Sequence, residues 1–289
     1  MLPVFVINLD RQPKRWAFMV SQLGALGIDP IRIAAVDGKA PGVRASSQAA
    51  PYAPLTPGEV GCFESHRSAW REIVARRLPA ALVLEDDVAV SCDFADLAFS
   101  ADVLGQVDLV KLDYDTTRPT RYGQRSIRLA EERRLARLLC SEPSCGCYLV
   151  TNRAAKTLLA ATANYMLPVD TMLFSPGSRL FWDLRVWKLV RPAAVQLTML
   201  ESHDQLPPEI MNRIQGATRP EQEKTLAAKV RHLRVQIRRL TDLEWATRRR
   251  KRMQHNIAWY EANEGIDTEP SHFFSSNLGH YRSAAHHLE

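Results

Sequence analysis

The chain has 289 residues, 46% of them hydrophobic, and a formal charge of +6. That length and apolar content supply one large core with an appendage and exclude a wholly disordered chain. No run approaches the roughly 20 apolar residues that span a bilayer, and five cysteines, an odd number, argue against a disulfide framework and fit a reducing cytoplasm.

Leu2 to Leu9 reads as a first strand, too short for a signal-peptide core and without a small-residue cleavage site. Asp10 and Pro13 then introduce a helix with Trp16, Met19, Val20, Leu23 and Leu26 at helical spacing, closed by Gly27. Ile31 to Val36 is a second strand, ending in the turn signal Asp37-Gly38. Strand, helix, strand, with polar residues at the strand ends, predicts a nucleotide-binding α/β half-domain. A G-x-G-x-x-G fingerprint is absent, which counts against a dinucleotide cofactor.

Lys39 to Leu55 is rich in Pro, Ala, Ser and Gly and reads as a surface loop. Thr56, Pro57 and Glu59 make a capping box, so a helix is expected from Pro57 to about Arg76. Capping explains Glu59, with a substrate role as the alternative. Val60, Phe63, Trp70 and Val74 are expected to face the core. Ser65 and His66 lie beside that stripe, His66 as a packed, hydrogen-bonded residue or a ligand.

Ala80 to Leu84 is short, continuous and apolar, the pattern of a strand buried on both faces, and it runs into Glu85, Asp86 and Asp87. Three adjacent acids repel one another unless a cation or a web of donors compensates. A hard divalent metal with a phosphorylated substrate would do so; the alternative is an acidic loop turned to solvent.

Asp108 to Leu112 is another buried strand, finishing at Asp113 and Asp115. The arginine-rich stretch from Thr116 to Ser144 reads as a solvated charged face, with an acceptor-facing insertion as the alternative. Cys145 and Cys147 are too close for a C-x-x-C pair and read as small core residues. Gly146 to Val150 is a strand, Thr151 or Asn152 caps a helix through Ala163, and Asp170 starts another after Pro168. Leu184 to Val190 and Ala194 to Thr198 are late strands leading to Glu201-Ser202-His203-Asp204.

From Pro207 the character changes. Leu226, Val230, Leu233, Ile237 and Leu240 form a narrow heptad seam, expected to pack on the main domain or to form a homodimer. The basic run Arg248 to Arg252 suits an anionic membrane surface, at about 1 kcal/mol per residue, with a solvated basic helix as the alternative. Nucleic acid is not an expected partner, because no aromatic stacking platform accompanies the charge.

Val6-Ile7-Asn8-Leu9-Asp10-Arg11 with Arg15, the stretch Leu55 to His66, Leu84-Glu85-Asp86-Asp87-Val88, and Gly146 to Val150 followed by Pro168-Val169-Asp170 stand in that order. The ordered set resembles glycosyltransferase family 25, the lipooligosaccharide galactosyltransferase group that also includes collagen galactosyltransferases. The resemblance covers roughly Met1 to His203. It implies a GT-A-like α/β domain over residues 1–205, followed by a mainly helical basic extension over 206–289. It further implies an inverting transfer from a nucleotide sugar, typically UDP-galactose, to a saccharide acceptor of lipooligosaccharide or another cell-surface glycan. The resemblance also implies a lipid-linked acceptor, which with the basic run and the cysteine usage suits a cytoplasmic enzyme peripheral to the inner face of the membrane.

By the same resemblance, Glu85-Asp86-Asp87 stands where the family has its version of the D-x-D motif for Mn²⁺ or Mg²⁺. Asp87 is assigned to the metal, Glu85 to the metal or its water shell, and Asp86 to the ribose or metal, with the order among them open. His203 is a candidate further ligand, which would favour Mn²⁺, or a loop histidine. Asn8 and Arg11 look like nucleotide-side residues, Ser65 and His66 join that set, and Asp37 is similar in place to the residue that addresses base or ribose. Arg15 meets a phosphate or pairs with Asp10. Direct displacement needs a general base, for which Asp170 is the first candidate and Asp113 the second; a helix cap and a turn residue are the alternatives. Two other readings are a non-catalytic binding module of the same fold and a metal-dependent phosphohydrolase. The second is disfavoured by the single acidic cluster and few suitably placed histidines.

Overall fold

Alternating side chains of the first strand, β1 (Val4–Asn8), decide the architecture: Val4 and Val6 enter one apolar cluster, Phe5 and Ile7 another. A strand buried on both faces needs cover on both sides. Helix α1 (Pro13–Gly24) covers the first face with Phe18, Met19 and Leu23. On the other lie α2 (Pro57–Ala75), with Phe63, Trp70 and Ile73, and α4 (Asn152–Ala161), with Leu158. The computed structural model describes residues 1–43, 55–114, 120–129, 133–199 and 260–261.

Strands β2 (Ile31–Ala34) and β3 (Ala80–Glu85) flank β1 and run parallel to it. Beyond β3, β9 (Cys147–Thr151) runs antiparallel, followed by β5 (Leu109–Lys111) and β10 (Val186–Leu189), again in the direction of β1. The far edge is the hairpin of β7 (Arg121–Arg128) and β8 (Arg134–Leu138), with β12 (Tyr260–Glu261) added to β7. A smaller sheet joins β4 (Val88–Val90), β11 (Ala194–Gln196) and β6 (Asp113–Tyr114). Short helices α3 (Ala101–Gln106), α5 (Val169–Phe174) and α6 (Arg179–Asp183) complete the described residues. The C-terminal ends of β1, β2 and β3 therefore open on one edge, where ligands bind in such sheets.

The capping box forms as the sequence predicts: Thr56 Oγ1 accepts from Glu59 N at 3.2 Å, and Thr56 N donates to Glu59 Oε2 at 2.6 Å. Helix α1 stops at Gly24, earlier than expected, and Gly27, in the left-handed region at φ 71°, closes the turn that follows it. Two apolar helix positions turn outward. Val20 is 39% exposed, because the buried stripe of α1 is narrower than its apolar spacing suggests, and on α2 Ile73 takes the buried place expected for Val74, which is half-buried.

Strand β4, which directly follows the acids, and the β7–β8 hairpin go beyond the sequence reading. β4 is held by Gln22 of α1, whose amide donates to Val88 O at 2.8 Å and accepts from Val90 N at 3.1 Å. In the hairpin, Tyr122, Leu135, Ala136 and Leu138 are buried between arginines, so alternation is present but masked by charge. Arg137 turns inward and donates to Leu184 O and Val186 O at 2.9 and 3.0 Å. His203, the heptad seam and the basic run lie outside the described residues, as does most of the loop before Leu55. Among the described residues, no helix is long and apolar enough to cross a membrane.

Candidate functional site

A cleft of about 490 Å³ opens at the ends of β1, β2 and β3, bounded by the starts of α1 and α2. Arg11, Arg15, Asp37, Ser65, His66, Glu85, Asp86 and Asp87 all line it. The strand end thus delivers the acids, and the helix starts deliver the cationic and small residues.

The three acids divide by their partners. Asp86, in the turn after β3, accepts from Asn8 Nδ2 at 2.7 Å and from Arg15 at 3.0 Å, so both its oxygens are engaged. Burial pushes its carboxyl up, and Arg15 and Asn8 offset part of that. Glu85, the last residue of β3, faces His66 Nε2 at 3.3 Å, Cys62 Sγ at 3.5 Å and Gln196 Nε2 at 3.4 Å. Burial would raise it, but these donors outweigh burial and hold it below the usual carboxylate range. Asp87 lies 3.6 Å from Arg15, and its buried Oδ1 has no hydrogen-bond partner among the described residues. Burial, and then the charge of Glu85, push Asp87 up to about 7. A buried, unpartnered carboxylate oxygen beside a polar cleft is the donor a hard divalent cation takes, so the residues fit such an ion at Asp87.

His66 is fixed from behind. Trp70 Nε1 donates to Tyr148 Oη at 2.9 Å, and that hydroxyl lies 2.9 Å from His66 Nδ1. Indole is only a donor, so the tyrosine oxygen accepts from it; the direction of its bond to Nδ1 follows the imidazole tautomer, and with the proton on Nε2 the ring donates to Glu85. Ser65 has a structural part: its hydroxyl donates to Gly61 O at 2.6 Å and accepts from Val36 N at 2.8 Å, joining α2 to the segment after β2. Gly61 is required there, since a Cβ would lie 2.5 Å from Val36 O and 2.6 Å from Gly38 N.

Arg11 pairs with Asp37 at the cleft mouth, both partly exposed. Arg15 pairs with the acids rather than with Asp10, which instead meets Arg32 at 2.7 Å. Arg32 also donates to Asn8 Oδ1 at 2.9 Å, fixing the amide that faces Asp86.

The candidate bases separate clearly. Asp113 has no exposed surface; it meets Lys111 Nζ at 2.8 Å and accepts from Ser144 Oγ at 2.7 Å. Asp170, in the first turn of α5, is half-buried and accepts from Ser144 N at 3.2 Å and Thr171 N at 2.6 Å. Gly146 O, two residues beyond Ser144, accepts from Glu85 N at 2.9 Å, so one short loop ties Asp170 to the acidic strand end. Cys62, given no site role in the sequence, lines the cleft. Burial, then the charges of Glu85, Asp170 and Asp87, push its thiol well up. Cys62, Trp70, Tyr148 and Gln196 were not legible as site residues; for Cys62 and His66 the i, i+4 spacing on a predicted helix was the available signal.

A family model described as glycosyltransferase family 25 (LPS biosynthesis protein) matches residues 1–173, well over half of the chain. The chain belongs to glycosyltransferase family 25. That span runs from β1 to α5, and so holds every site residue expected from the sequence except His203; Gln196 also lies beyond it. Among family 25 relatives, procollagen galactosyltransferase 2 of Homo sapiens is 31% identical over 193 residues, 59% of this chain and 29% of that protein. Procollagen galactosyltransferase 1 of Danio rerio is 35% identical over 190 residues, 59% of this chain and 30% of its own. Inactive glycosyltransferase 25 family member 3 of Mus musculus is 41% identical over 107 residues, 32% of this chain and 17% of its own. The chain therefore spans under a third of the length of these relatives.

Proposed function

We propose that the protein is a metal-dependent, inverting glycosyltransferase of GT-A-like fold that moves galactose from UDP-galactose to a saccharide acceptor of a cell-surface glycan such as lipooligosaccharide. One observation carries this reading: a cleft at the parallel strand ends gathers Arg11, Arg15 and three acids, with one buried acid oxygen, Asp87 Oδ1, left unpartnered. Family membership supports the reaction class, and the names of the relatives support galactose.

Arg11 and Asp37 flank the mouth of the cleft, suited to the nucleoside, and Arg15 stands behind the acids, suited to the diphosphate side. Asp87 would hold Mn²⁺ or Mg²⁺, with Glu85 beside it and His203 as a further candidate; bound there, the cation supplies Lewis-acid stabilisation of the charge on the departing diphosphate. Asp86 is committed to Asn8 and Arg15 and acts by holding the turn. Asp170 takes the proton of the acceptor hydroxyl. As it does so, the acceptor oxygen bonds to the anomeric carbon from the face opposite the nucleotide, and the old C–O bond breaks with its electron pair going to the diphosphate. Asp113, neutralised by Lys111, anchors Ser144 and through it Asp170. We further propose a lipid-linked acceptor reached from the cytoplasmic membrane surface, with the basic run and heptad seam as the membrane and dimer contacts.

A thermal-shift screen of nucleotide sugars with and without Mn²⁺ tests this. A ligand at about 100 times its dissociation constant stabilises by about 2.7 kcal/mol, so UDP-galactose with Mn²⁺ should raise the midpoint. No shift with any nucleotide sugar would remove the reading. The likeness to relatives named inactive favours a second reading, a binding module that holds the donor without turnover. It predicts the same shift with no nucleotide release on adding saccharide acceptors.

A further inference from the structure

Cys62 and His66 stand four residues apart on α2, so their side chains share one face, and β3 sets Glu85 against them. The sulfur, His66 Nε2 and a Glu85 oxygen all lie within 4.8 Å of one another. Glu85 Oε1 is 3.3 Å from Nε2 and 3.5 Å from Sγ. The first distance is long for an N–H···O hydrogen bond. Both equal the edges of a metal-centred tetrahedron: with Zn–N and Zn–O near 2.0–2.1 Å and Zn–S near 2.3 Å, the N···O edge is about 3.3 Å and the S···O edge about 3.5 Å.

We infer that Cys62, His66 and Glu85 form a site for Zn²⁺ or another thiophilic divalent cation, with three protein ligands and the fourth position toward the cleft they line. The surroundings suit it. His66 Nδ1 already has Tyr148 Oη at 2.9 Å, the kind of outer partner that orients metal-bound imidazoles. The charges of Asp170 and Asp87 also bear on Cys62, a field that attracts a cation. One sulfur, one nitrogen and one oxygen make a softer set than the carboxylate at Asp87, so Zn²⁺ prefers this site while Mn²⁺ and Mg²⁺ do not. On binding, His66 takes the tautomer with its proton on Nδ1, donated to Tyr148 Oη, so that the Nε2 lone pair bonds the metal; the Cys62 S–H bond breaks, its electron pair bonds the metal and its proton goes to buffer, with no change of oxidation state.

Glu85 Oε1 is the oxygen that faces Cys62 and His66, and a metal bond there fixes the carboxylate toward α2. Zn²⁺ at this site therefore draws Glu85 from the acids and inhibits transfer even in excess Mn²⁺. That consequence rests on the proposed function; the site itself does not.

Co²⁺, which reports thiolate ligation and tetrahedral geometry by absorption, is the probe. Added in equimolar amount to the full chain, it should give a thiolate-to-cobalt charge-transfer band and intense visible bands, both bleached by Zn²⁺. Cys62→Ser should abolish the charge-transfer band, and His66→Gln should weaken Co²⁺ binding by about tenfold or more. Absence of the band in the wild type would overturn the inference, whatever the variants do. A band that persists in Cys62→Ser would also overturn it, by assigning the ligand to another thiol such as exposed Cys92. The readout needs no nucleotide or turnover, so a positive result beside a flat nucleotide-sugar screen would leave the metal site standing and the transferase reading refuted.

Discussion

Asn8 Nδ2 donates to Asp86 Oδ2 at 2.7 Å, tying the end of β1 to the turn after β3 across 78 positions of sequence. With Arg15 on the other oxygen, the pair fixes a turn whose next residue is the least satisfied acid of the site. Removing Asp86 leaves Arg15, 8% exposed at its side chain, short of its closest anionic partner. Asp86→Ala should therefore cost about 3 kcal/mol, the range for breaking a buried ion pair. Urea unfolding measures it, and a cost under about 0.5 kcal/mol, the level of an ordinary surface substitution, would contradict the anchoring role.

The charge state of Asp87 sets a pH dependence. Its carboxyl is pushed to about 7, against an ordinary value of 3.8. Between those values the folded chain binds more protons than the unfolded one, so this group makes the metal-free protein less stable as pH rises through the window. Asp87→Asn should then raise the metal-free melting midpoint at about pH 8 and leave it nearly unchanged at about pH 4. A metal at Asp87 must displace that proton, so Mn²⁺ affinity should fall by up to about tenfold per pH unit below about 7. Calorimetry at two pH values decides it, and equal affinity at both would contradict the assignment.

Behind the acids, Tyr148 serves two buried groups, Trp70 Nε1 and His66 Nδ1. Tyr148→Phe leaves both without a partner, at about 1–3 kcal/mol for each unsatisfied group. The variant should unfold at lower denaturant with an unchanged m-value.

Gly61 and Gly105 make a matched pair. A Cβ on Gly61 meets backbone on both sides, whereas on Gly105, inside α3, it meets nothing within 4 Å. Gly61→Ala should destabilise by about 1–3 kcal/mol or more and weaken nucleotide binding, because α2 must back away from the cleft wall. Gly105→Ala should be neutral or stabilise by up to about 1 kcal/mol.

Asp170 and Asp113 should fail differently. Asp170→Asn should keep nucleotide-sugar binding and lose about 10²–10⁴-fold in transfer, the contribution of a general base. Asp113→Asn leaves the fully buried Lys111 with the carbonyls of Pro143 and Ser144 but without its carboxylate, and should first lose stability. Unaltered turnover in Asp170→Asn would remove it from the role.

The parts legible in sequence were those with local causes. The Thr56 capping box, the apolar run of β3 and the acids at its end each follow from a few adjacent residues. Partners brought together by the sheet were not legible. Nothing near Tyr148 in sequence announces His66, and nothing near Gln196 announces Glu85; pairing of β3 with β9 and of β4 with β11 creates those contacts. The arginines between Arg121 and Arg137 hid a hairpin for another reason, since Arg137 spends its charge on carbonyls of neighbouring strands, a use that composition does not reveal.

The central claim is that the acidic strand end holds a nucleoside diphosphate through a cation on Asp87. Calorimetric titration of UDP into the full chain tests it most directly, run with Mn²⁺, with chelator, and with Mn²⁺ on Asp87→Asn. Binding with Mn²⁺ that is lost with chelator and in the variant is the expected result. Equal affinity in all three titrations, or no binding in any, would contradict it.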